Sequence, residues 1–145
     1  MWGPADAILD QLRGVWAIRR SISNGASLAG TAVFQPSGGD ELRYDERGEL
    51  TLAEGQRFAA TRSYLFRRSA IGFDVYFTEE PGKLFHVIAL TCRDGVWIGG
   101  GAHPCRDDLY RTRYAFRPDD SFVIAHTVRG PRHHYDMETV YRRQA

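Results

Sequence analysis

The sequence predicts a mostly β protein: a single antiparallel β-barrel of 8-10 strands with a short N-terminal α-helix, one domain over residues 1–145. Three observations predict it. Gly14-Val15-Trp16 follows a short helix-like segment and opens the first strand. Turn residues then recur at short spacing to the end of the chain, the mark of a sandwich or barrel. Between the turns, apolar residues alternate with polar ones, so each strand has an inner and an outer face.

The elements follow in order. Ala5, Ile8, Leu9 and Leu12 fall on one helical face between Pro4 and Arg13. Pro4 suits a first helical turn and Gly14 the position just past the end. About ten residues is too short to be stable alone, so this helix must pack on something. Turns are expected at Asn24-Gly25, Ser37-Gly38-Gly39, Arg47-Gly48, Glu54-Gly55, Ile71-Gly72, Pro81-Gly82, Asp94-Gly95, Pro118-Asp119-Asp120 and Gly130-Pro131. Strand runs are expected near 15–23, 29–36, 41–46, 49–53, 57–68, 72–78, 84–92, 96–100, 109–117, 121–129 and 134–143.

Alternation assigns the faces. Phe58, Ala60, Arg62, Tyr64 and Phe66 form one inward set, so Arg62 and Tyr64 project into the barrel. Phe73, Val75 and Phe77 form another, as do Tyr110, Thr112, Tyr114 and Phe116. On the last strand Tyr135, Met137, Thr139 and Tyr141 share a face, with Glu138 on the other. The run from Leu84 to Leu90 is apolar on both faces, so the direction of His86 is not legible, nor is that of His126.

Composition excludes some functions. A net charge of +1 gives no global field for nucleic acid. No run reaches the roughly 18 apolar residues of a membrane span, and the N-terminus has no basic region followed by an apolar stretch. Cys92 and Cys105 are expected to be reduced thiols in the cytoplasm. Aromatic residues make up 12% of the chain, enough to line a cavity.

The chain resembles a family of small, mostly bacterial proteins that carry a domain of unknown function with a calycin-like (lipocalin-like) barrel. The resemblance rests on Leu12-Arg13-Gly14-Val15-Trp16, on Tyr44-Asp45-Glu46-Arg47-Gly48, on His103-Pro104-Cys105-Arg106-Asp107-Asp108-Leu109-Tyr110, and on Gly130-Pro131-Arg132 leading to Tyr135 and Tyr141-Arg142. Where the family pattern commonly has a Lys and an acidic or amide residue after Gly-Pro-Arg, this chain has His133 and His134. The resemblance implies a barrel with a pocket and carries no activity. In lipocalin-like folds a late arginine stacks on the tryptophan of Gly-x-Trp. That role falls to Arg142 or Arg143, and assigns Trp16 to barrel closure.

The candidate ligand-binding residues are Arg62, Tyr64, His103, Cys105, Asp108, Tyr110 and Tyr135. An arginine and a tyrosine two apart on one face can grip a carboxylate through charge-assisted hydrogen bonds, similar to the Arg-x-Tyr pair of fatty-acid-binding proteins. The plainer alternative is an outward Arg62 or an internal ion pair. His103, Cys105, Asp108 and Tyr110 form either a polar cluster at the pocket mouth or a Pro-containing turn. His-x-Cys is not a standard zinc spacing, so no metal site is expected. Gly99-Gly100-Gly101 lacks the Lys-Ser/Thr of a phosphate loop and reads as a bulge or bend. The expected function is intracellular binding of a partly apolar, anionic small molecule, with no cofactor, no nucleic acid and no membrane insertion; the chain can also pair as a homodimer. Two alternatives stand beside it. One is a cofactor-independent enzyme on a small carboxylic acid, using Tyr64, Tyr110 and Glu138, similar to phenolic acid decarboxylases. The other is a heme barrel on His86, His126, His133 or His134, similar to nitrobindins.

Overall fold

The computed structural model describes residues 1–80 and 82–144. Eleven strands form one antiparallel sheet: β1 Gly14–Ile22, β2 Ser27–Gly38, β3 Glu41–Thr51, β4 Arg57–Ser69, β5 Gly72–Phe77, β6 Leu84–Ala89, β7 Thr91–Arg93, β8 Val96–Cys105, β9 Asp108–Phe116, β10 Phe122–Arg129 and β11 His134–Arg143. The order across the sheet is β6-β5-β4-β3-β2-β1-β11-β10-β9-β8-β7. The sheet curls until its edges meet. β6 pairs with β5, the chain passes through Leu90, and β7 pairs with β8. One continuous segment therefore serves both edges and makes the barrel nearly closed.

The seam between β6 and β8 explains the glycine run. A Cβ on Gly99 would collide with the Ala89 carbonyl, and one on Gly101 would lie 3.1 Å from the His86 ring. Gly99-Gly100-Gly101 is thus not a bend: β8 runs straight through it, and on through Pro104, to Cys105. A second expected turn is also overturned. β3 passes through Arg47-Gly48 without a break, and Gly48 pairs with Gly30 of β2 and Ala60 of β4. Side chains at either glycine would strike the neighbouring strand's backbone. These glycines permit close strand approach, a use that sequence alone does not separate from a turn. The Pro81-Gly82 turn lies partly outside the described residues.

The N-terminal helix is shorter than its periodicity predicts. A 3-10 turn at Ala5–Ala7 leads into α1, Ile8–Gln11. The expected face is nonetheless the buried one, with Ile8, Leu9 and Leu12 all inside. This segment plugs one end of the barrel. Trp2 stacks on Trp16 at 6.0 Å, and both meet Phe122 edge-on. Trp16 Nε1 donates to the Leu12 carbonyl at 2.8 Å. Of the two candidate arginines it is Arg143 that lies over the Trp16 ring, 4.2 Å from its centroid, while donating to the carbonyls of Arg13 and Gln11. Phe34, Phe66, Phe73 and Phe116 complete the packed floor. Such aromatic contacts contribute about 0.5–1.5 kcal/mol each beyond area burial. The register places the 22–27, 51–57, 105–108 and 129–134 connections at the opposite, unplugged end.

Candidate functional site

Above the aromatic floor the inward faces turn polar. On β1 the buried alternation Trp16, Ile18 continues to Arg20, and on β3 Leu42, Tyr44 continues to Glu46. Arg20 Nη1 and Nη2 donate to the two Glu46 oxygens at 2.7 and 2.8 Å, and Arg20 Nε donates to Thr139 Oγ1 at 2.7 Å. Tyr44 Oη donates to Glu46 Oε1, so its 2.7 Å contact with Tyr141 has Tyr141 as donor. Burial alone would push the Glu46 carboxyl up, but the hydrogen bonds and charge of Arg20, with help from Tyr44 and Arg62, hold it below the ordinary carboxylate value. Burial pushes the Tyr141 phenol up to about 12. This ion pair is complete in itself.

Next to it, on β9, Thr112 Oγ1 lies 3.1 Å from His86 Nε2 and 2.9 Å from His126 Nδ1. Both histidines therefore point inward. Burial and the neighbouring His103 push His86 down to about 4. Burial, then the charge of Arg62, pushes His126 down to about 3. Both rings are neutral near pH 7.

Of these groups His126 lines a chamber of about 340 Å³ at the unplugged end, together with Arg62 and Tyr64 of β4, Phe77, Glu79, Phe85, Tyr110 and Tyr135, among others. A narrow pit below it shares Arg62, Tyr64, Phe85 and His126 and reaches Arg20, Glu46 and Tyr141. Arg62 makes no hydrogen bond or ion pair among the described residues, though it lies near enough to Glu46 to lower that carboxyl. Burial pushes the Tyr64 and Tyr110 phenols up, so both remain donors. The Tyr64 ring stacks on Phe85 at 5.6 Å. A larger groove, about 640 Å³, lies on the outer wall over Gly99–Ala102. It is more open, is lined by the glycines of the seam with Arg111, Arg113 and Thr127 among others, and of the inward polar groups includes only Thr112.

The candidate residues thus divide. Arg62, Tyr64, Tyr110 and Tyr135 converge on the chamber. His103 stands at the rim, edge-on to Phe77 and Phe85. Cys105 is exposed on the β8–β9 hairpin and, like Cys92, free. It makes no hydrogen bond to His103 among the described residues. Asp108 is buried away from the chamber and ties two hairpins together, accepting from His133 Nδ1 at 2.9 Å and from the Arg132 amide. The expected Pro-containing turn is therefore a strand end followed by a tight Arg106-Asp107 hairpin. Glu138 faces solvent on the outside of β11, which removes the carboxylate from the decarboxylase-like set. His133 and His134 are exposed, outside the barrel. Sequence reasoning missed Arg20, Glu46 and the Thr112 bridge. The signal was the continuation of an apolar alternation into a charged residue, on β1 and on β3.

The model of a family of unknown function (DUF6314) matches residues 12–143. No curated protein sequence matches the chain. The crystal structure of Rv2717c from M. tuberculosis is similar, with a TM-score of 0.54, 15% identity and 100% of both chains covered. A redesigned beta barrel, mFAP1, solved bound to DFHBI, has a TM-score of 0.46 and 13% identity, over 93% of this chain and 97% of that one. At 15% identity the likeness to Rv2717c is one of fold.

Proposed function

The chain belongs to the DUF6314 family of unknown function, and from its own geometry we propose that it binds a partly apolar, anionic small molecule in the chamber at the unplugged end of its barrel. One observation carries this reading: Arg62 lines a half-enclosed, aromatic chamber with no anionic partner among the described residues. A guanidinium left without a partner in such a setting is costly. Its near neighbour Glu46 is fully engaged by Arg20. An anion supplied from outside relieves the cost, and Tyr64 Oη stands ready as a second donor. The ring walls of Phe77, Phe85, Tyr110 and Tyr135 suit an apolar body. We take the setting to be the cytoplasm, in keeping with two exposed free thiols.

The test uses two dyes with similar rings. 1-Anilinonaphthalene-8-sulfonate is anionic, and N-phenyl-1-naphthylamine is uncharged. Fluorescence titration is expected to show the anionic dye binding Arg62→Met about tenfold more weakly than wild type, as loss of one charge-assisted hydrogen bond implies. The uncharged dye is expected to be unaffected. An anionic dye indifferent to Arg62→Met, or no binding of either dye, overturns the proposal.

A further inference from the structure

Resting on that reading, the charge balance of the chamber narrows the ligand class. The ionisable groups that face it are Arg62 from β4, Glu79 beyond β5, His126 from β10 and the three tyrosines, with Arg20 and Glu46 at its base. Arg20 and Glu46 cancel within one bidentate pair. Glu79 is exposed at the rim and forms no ion pair among the described residues. Lys83 lies over the Phe77 ring and is paired with Glu80. Arg62 is therefore the one cation on the lining that no hydrogen bond or ion pair neutralises among the described residues, and the unpaired Glu79 carboxylate at the rim is the negative charge already present there.

The Thr112 bridge fixes what His126 offers. The Thr112 hydroxyl has one proton and touches two ring nitrogens, so between neutral imidazoles it donates to one and accepts from the other. When His86 Nε2–H is the donor, Thr112 donates to His126 Nδ1, and the single ring proton of His126 sits on Nε2. That nitrogen has no protein partner among the described residues, and its ring lines the chamber. An acceptor-only group beside Arg62 selects this arrangement, because the alternative would set a lone pair against it.

We propose that the chamber takes a monoanionic carboxylate, held between the Arg62 guanidinium and a neutral His126 Nε2–H whose tautomer is positioned by Thr112 and His86, and that it discriminates against dianions such as phosphate monoesters. A carboxylate brings one negative charge to one unpaired cation. A dianion leaves a second charge in a half-buried site whose rim carries Glu79.

The test compares three probes with one ring system by calorimetry at pH 8: 2-naphthoate, 2-naphthyl phosphate and 2-naphthalenemethanol. The naphthoate is expected to bind at least tenfold more tightly than either other probe. Long-range ¹H–¹⁵N spectra of the naphthoate complex are expected to place the His126 proton on Nε2. Thr112→Val is expected to mix the tautomers and weaken naphthoate several-fold while sparing the alcohol, and Thr112→Ser to restore both. Should Thr112→Val fail to fold, the probe comparison and the wild-type spectrum still decide. Phosphate binding as tight as carboxylate binding, or a proton on Nδ1, overturns this inference while leaving anion binding intact. An alcohol that binds as tightly as both anions overturns the anion-binding reading itself.

Discussion

Arg20 and Glu46 sit among phenol rings with their side chains almost wholly excluded from water. Arg20 is charged in any setting, and its hydrogen bonds and charge keep the buried Glu46 ionised. Removing one partner strands a buried charge, so Glu46→Leu is expected to cost about 3–5 kcal/mol in chemical denaturation. The double variant Arg20→Met/Glu46→Leu is expected to recover most of that loss, because it removes both desolvation penalties. A single variant within 1 kcal/mol of wild type would show that water reaches the pair, against its burial. Arg62 is the contrasting case. Its inward placement was legible in the sequence, because Arg-x-Tyr lies within an inward alternation on one strand. The Arg20–Glu46 pair was not, because its partners lie 26 residues apart and only the strand register brings them together.

At the scale of elements, the N-terminal segment is held by its buried face and by the last strand as well as by its own hydrogen bonds. α1 has four residues, too few for intrinsic stability. Arg143 clasps it by covering Trp16 and donating to the carbonyls of Gln11 and Arg13. Arg143→Ala is expected to cost about 1–2 kcal/mol and to change tryptophan emission. Arg142→Ala, which loses only an exposed 3.7 Å pairing with Asp119, is expected to do neither. Equal effects of the two substitutions would refute the clasp. Element type was readable here, since Ile8, Leu9 and Leu12 mark the buried face. Element ends were less so. Gly48 and Gly99–Gly101 read as turn or bend signals, yet both sit inside strands, because glycine answers to steric crowding by a distant strand as readily as to a local reversal.

At the scale of the molecule, two neutral histidines of the upper barrel, His86 buried and His126 half-buried on the chamber wall, couple folding to pH. In the unfolded chain they protonate near 6.5, whereas in the folded chain His86 and His126 resist protonation down to about 4 and about 3. The unfolded state therefore binds more protons between these limits. Stability is full above about pH 6.5 and is lost progressively as pH falls below it, by on the order of a few kcal/mol. Urea midpoints between pH 7.5 and 5 are expected to fall in wild type and to stay nearly level in His86→Gln/His126→Gln. A wild-type slope unchanged by the double substitution would assign the effect to other groups. The mostly β class, the helical face and the inward sets on β5, β9 and β11, with Arg62 to Phe66 on β4, followed from the residues themselves, because periodicity and local turn chemistry are short-range properties that each segment carries with it; the barrel closure and the arginine–tryptophan contact were what the family resemblance implied, and Phe58 of the β4 set is exposed. Which candidates share a chamber was decided only by the tertiary structure. Curling the sheet brought Arg62, Tyr64, Tyr110 and Tyr135 together with His126. It also gave Asp108 to a hairpin joint and left Cys105 in solvent. Those outcomes depend on register and closure between strands far apart in the chain, and no local pattern encodes them.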